Sequence, residues 1–147
     1  MESQGIRDAA SAFAAIALAA VACDGELSAT EAMALREQLE HRQPFCDRSD
    51  QEMASLLDAL LHMLRADGVN ALVESAVPLL TPIQQETVLA VAASLIWSDR
   101  LKKPAEQAFL SSLVDLLDLD AQRSQLILDV VSLLYRDCLI PDDTLAS

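Results

Sequence analysis

AASAFAAIALAAVAC, residues 9 to 23, is the stretch on which the fold turns. Ser11 is its only polar side chain. A helix built from it presents apolar groups in every direction, and such a helix belongs at the centre of a bundle. It is too short to span a bilayer, which takes about 20 apolar residues. The preceding MESQGIRD sets Glu2 and Asp8 against Arg7, so the positive segment that opens a secretory signal is absent. The expectation is a buried helix from about Gly5 to Ala22 in a cytoplasmic protein, with no direct membrane insertion.

Capping signals divide the rest of the chain. Ser28 with Glu31 three residues on forms a capping box, and helix two is expected from there to about Arg42. QPFCDR comes next as a loop. Ser49 and Glu52 form a second box; Met53, Leu56, Leu57, Leu60, Leu61 and Leu64 supply the buried stripe of helix three. Gln51, Ser55, Asp58, His62 and Arg65 lie on its solvated face. ADG, residues 66 to 68, ends it. Helix four is expected from Val69 to Leu80, with Pro78 disturbing its last turn.

Thr81, Pro82 and Gln84 open helix five, whose VLAVAASLIW is again apolar on all sides. Helix six starts at Pro104 and runs to about Leu117. Asp120 caps helix seven, and Leu126, Ile127, Val130, Val131, Leu133 and Leu134 give it a wide apolar face. An irregular tail, 139–147, closes the chain.

The 147 residues make one domain, with a mostly Ala, Leu and Val core, since 52% of the chain is hydrophobic and 3% aromatic. A net charge of −13 repels phosphates and anionic headgroups, which argues against nucleic acid and favours cations or proteins with basic faces. Cys23, Cys46 and Cys138 form no zinc-type cluster; their odd number fits a reducing compartment, with each acting as a small apolar filler.

Helices one and five match, and so do the segments that succeed them. CDGELSATE, residues 23 to 31, aligns without gaps on SDRLKKPAE, residues 98 to 106. The fold class expected is all-α: a compact bundle of about seven helices with an internal pseudo-two-fold helix–acidic loop–helix repeat, its halves about 9–42 and 82–117. The two all-apolar helices are then neighbours at the core.

AAVACDGELSATE, and then LIWSDRLKKPAEQAFLSSLVDLLDLD, resemble the tellurite-resistance TerB family over about residues 9 to 136. The second motif departs from the family pattern: Arg100 replaces a glycine, and Lys102 and Lys103 add positive charge. The resemblance implies a compact helical domain with pseudo-symmetry and a place in bacterial stress-response systems alongside membrane proteins. It also implies a divalent-cation site at the acidic motifs and no established catalysis.

Carboxylates at a helix C-terminus oppose the helix dipole. If the halves pack side by side, Asp24, Glu26, Glu31, Asp99 and Glu106 are the candidate metal ligands, for Ca²⁺ or Mg²⁺. The spacing is not that of an EF-hand. The competing reading is structural: Asp24-Gly25 makes a turn, Glu31 and Glu106 stabilise helix N-termini, and Lys102 and Lys103 neutralise Asp99. Asp67 and Glu74 read as a helix stop and start, and His41 and His62 as surface residues.

No nucleophile triad or phosphate loop is present, so no enzyme is expected. The function expected is a stress-response accessory domain that binds a divalent cation and a protein partner, within a membrane-associated complex. A metal-free acidic interaction module is the alternative, and a hydrolase of unknown substrate the second. Homo-oligomerisation stays open.

Overall fold

A computed structural model describes residues 6–23, 26–98, 104–136 and 138–139. Its described residues form seven α-helices: α1 Ala9–Val21, α2 Ala29–Glu40, α3 Asp50–Asp67, α4 Val69–Ala76, α5 Pro82–Ser98, α6 Pro104–Leu116 and α7 Ala121–Leu134. The expected all-α bundle is what the chain adopts.

α1 is central because nothing on it needs water. Every residue from Ala14 to Ala20 is fully buried, and the helix packs against α2, α3, α4, α5 and α6. It lies against α4 and against α5, whose second half is the other all-apolar segment and where Val88, Leu89 and Ala92 are also fully buried. α2 touches both α1 and α5, and α6 touches both α5 and α1. Each of these two helices thus packs across the central pair. Small side chains permit this: Ala at eight positions of α1 lets neighbouring backbones approach closely.

The capping residues act largely as their chemistry dictates. The Ser28 and Ser49 hydroxyls accept from the backbone N–H of Glu31 and Glu52, and each glutamate accepts the serine N–H in return. Thr81 and Gln84 exchange the same pair of bonds at α5. Asp120 occupies the cap position of α7, but its side chain makes no capping bond. α1 begins later than Gly5, at Ala9, because Asp8 and Ser11 close a reciprocal cap there. Serine at the third helical position, in place of Glu or Gln, hid that signal.

α3 presents its expected stripe, with Met53, Leu57, Leu60 and Leu64 buried and Leu56 and Leu61 half-buried. Gly68 ends it at φ +92°, and α4 gives way at Pro78 to a 3₁₀ turn, Val77–Leu79. The QPFCDR loop contains a second 3₁₀ turn, Phe45–Asp47, that buries Phe45. Cys46 and Cys138 are exposed and Cys23 is half-buried, so only Cys23 fits the filler role expected of all three. In its turn, Phe45 rather than Cys46 points inward.

The second departure concerns α7. It packs on α5, tethered by the Ser94–Tyr135 hydroxyl pair and by the forked Arg123–Glu86 ion pair. Only Ser124 and Val131 of this helix are buried. Most of its wide apolar face looks outward.

Candidate functional site

Two of the five candidate ligands, Asp24 and Asp99, lie outside the described residues, as do Lys102 and Lys103. Of the other three, Glu26 is exposed just ahead of α2. Glu31 is committed locally: its Oε1 accepts the Ser28 N–H at 3.0 Å, which is the capping role. Glu106 is different. It sits in the first turn of α6 and is only 3% exposed. A buried carboxylate is costly unless charge or hydrogen bonds answer it, so its environment matters more than that of Glu31. Among the described residues no group of three or more His, Cys, Asp or Glu is close enough to hold a metal ion. The structure places Glu31 and Glu106 at equivalent first-turn positions but gives them unequal burial.

His41 and His62 are exposed, and so are Asp67 and Glu74. Asp67 ends α3 as a helix stop requires, whereas Glu74 lies in the second half of α4 rather than at its start. The shifted carboxylates of the chain are held by structural partners. Asp8 is kept below its ordinary value by hydrogen bonds from Ser11, Glu52 by those from Ser49, and Glu86 by the Arg123 guanidinium.

The surface that stands out is α7. Leu126, Val130, Leu133 and Leu134 are 52, 48, 50 and 74% exposed. Their spacing is i, i+4, i+7 and i+8, which places them in one stripe along the helix. Isolated apolar residues are ordinary surface, whereas a contiguous stripe marks an interaction site. The charges beside it are few. Arg123 is taken by Glu86, and Asp129 accepts from Gln125 Nε2 at 2.9 Å. The sequence contained this face but not its direction, because an apolar stripe reads the same whether it meets the core or solvent.

No family model, curated protein or solved structure matches this chain.

Proposed function

We propose that this protein is a TerB-like, non-catalytic accessory domain of a cytoplasmic stress-response assembly, and that it works by docking a protein partner on α7. The observation that carries the reading is the outward stripe Leu126–Val130–Leu133–Leu134 on a helix anchored to the bundle by its opposite side. This is the i, i+4, i+7 pattern by which an amphipathic helix seats in an apolar groove. No helix of the described residues is long and apolar enough to cross a membrane. Contact with a membrane-associated complex runs, in this reading, through the protein subunits of that complex. Capture from host cells with immobilised full chain tests the docking. A partner retained by the wild type and lost by the Leu126→Ser/Leu134→Ser variant is expected; identical capture by both ends the proposal.

A second reading is a divalent cation at the paired acidic loops, with Asp24, Glu26, Asp99 and Glu106 as donors. What supports it is the burial of Glu106, since a cation bound to a desolvated carboxylate gains more than one bound in open water. Calorimetric titration of chelator-treated protein decides. Wild type is expected to take up Ca²⁺ or Mg²⁺ and melt higher with it, and Asp24→Asn to lose both responses. A flat titration removes the cation.

A further inference from the structure

Ten basic residues face 23 acidic ones in this chain, so carboxylate partners are plentiful. Arg36 pairs with Glu40 and Asp50, Arg123 pairs with Glu86, and the charge of Arg48 is felt by Asp8. Arg42 is held differently. Among the described residues no carboxylate lies within ion-pair distance of it. Its Nε donates to the Gln38 carbonyl at 2.8 Å and its Nη2 to Gln38 Oε1 at 3.4 Å, while the guanidinium lies 6.0 Å from the Phe13 ring centroid. Both polar partners belong to Gln38, four residues back in the last turn of α2. The planar cation is held in place, and no described carboxylate answers its charge.

It is held at the edge of an apolar cleft of about 240 Å³. Ala9, Ala10 and Phe13 of α1 form one wall, Phe45 a second, and Leu80 and Ile83 a third. Phe13 and Phe45 pack ring to ring at 6.5 Å between centroids. Ile83 stands at the rim, 77% exposed, and gains from any apolar cover. At roughly 30 Å³ for each water-sized group, the cleft accommodates about eight non-hydrogen atoms. That is the size of a six-carbon monocarboxylate.

We propose that this cleft binds a free short-chain aliphatic carboxylate, its hydrocarbon tail between Phe13, Phe45 and Ile83 and its carboxylate on the guanidinium of Arg42. Charge selects the class: an amine of equal length would bring a second cation against Arg42, and an alcohol would leave that cation unanswered. So small a ligand binds weakly, in the millimolar range. The site stands apart from α7 and does not depend on the docking reading.

The test is a titration of the full chain with sodium hexanoate, monitored by amide nuclear magnetic resonance. Saturable shifts are expected at Ala10, Phe13, Phe45 and Ile83. Sodium acetate, which has the charge without the tail, and hexylamine, which has the tail with the opposite charge, are each expected to bind at least tenfold more weakly. Arg42→Gln is expected to weaken hexanoate at least tenfold. Ile83→Ser, at an exposed position that leaves the fold intact, is expected to weaken it several-fold. Absence of saturable shifts at the cleft overturns the proposal, as does an equal response to hexylamine. So does hexanoate affinity unchanged in Ile83→Ser, which decides the matter even where Arg42→Gln fails to fold.

Discussion

The side-chain oxygen of Gln85 accepts the backbone N–H of Asp118 at 2.7 Å, joining the start of α5 to the connection between α6 and α7. The same amide donates through Nε2 to the Leu80 carbonyl at 3.1 Å, and the residue is 4% exposed. One buried side chain therefore satisfies two backbone groups that no helix serves. Gln85→Leu leaves both unanswered and is expected to cost about 2–4 kcal/mol, read from the urea midpoint. A loss below about 1 kcal/mol contradicts this account.

Ser124 is the opposite case. Its hydroxyl is buried on the α5 side of α7 and has no hydrogen-bond partner among the described residues. Ser124→Ala is expected to leave stability unchanged or raise it by up to about 1 kcal/mol. Clear destabilisation in a thermal melt shows that the hydroxyl is served.

Gly68 at φ +92°, ψ 160° occupies backbone space that side chains disfavour, yet nothing lies within 4 Å of a Cβ added there. Gly68→Ala is therefore expected to lose about 1–3 kcal/mol through backbone strain alone, without a clash. A neutral result by chemical denaturation removes the strain argument.

Asp8 makes an acid-sensitive cap. Its Oδ1 accepts from the Ser11 N–H at 2.9 Å and from the Ser11 hydroxyl at 2.8 Å, and Arg48 adds attraction. These hold the folded-state value below the ordinary 3.8. A carboxylate so depressed stabilises the fold fully above its unfolded value and loses that contribution as pH falls through the folded one. Asp8→Ala is expected to cost about 1 kcal/mol at pH 7. Urea titrations of the two proteins should converge as pH drops below 3.8. A difference constant down to that range refutes the ionised cap.

Within α7, position decides what a change costs. Val131 is 6% exposed, and Val131→Ala is expected to lose about 2 kcal/mol. Leu126→Ser and Leu134→Ser, on the outward stripe, should each fall within about 0.5 kcal/mol of wild type. Equal losses at the three positions, measured by guanidinium unfolding, would falsify an outward-facing stripe.

Residue order was enough for the all-α class, the number of helices, most of their caps and the pairing of α1 with α5. All are local or compositional: a capping box closes within three residues, and a helix with no polar side has only the interior to occupy. Asp8 and Ser11 escaped because their cap uses serine in the glutamate position. Packing settled which way the apolar face of α7 points, that Glu106 is buried while Glu31 is spent on a cap, and that Arg42 is held by Gln38 rather than by a described carboxylate. Each depends on which residues arrive from distant parts of the chain. Periodicity along one helix records the width of its apolar stripe but not what lies opposite.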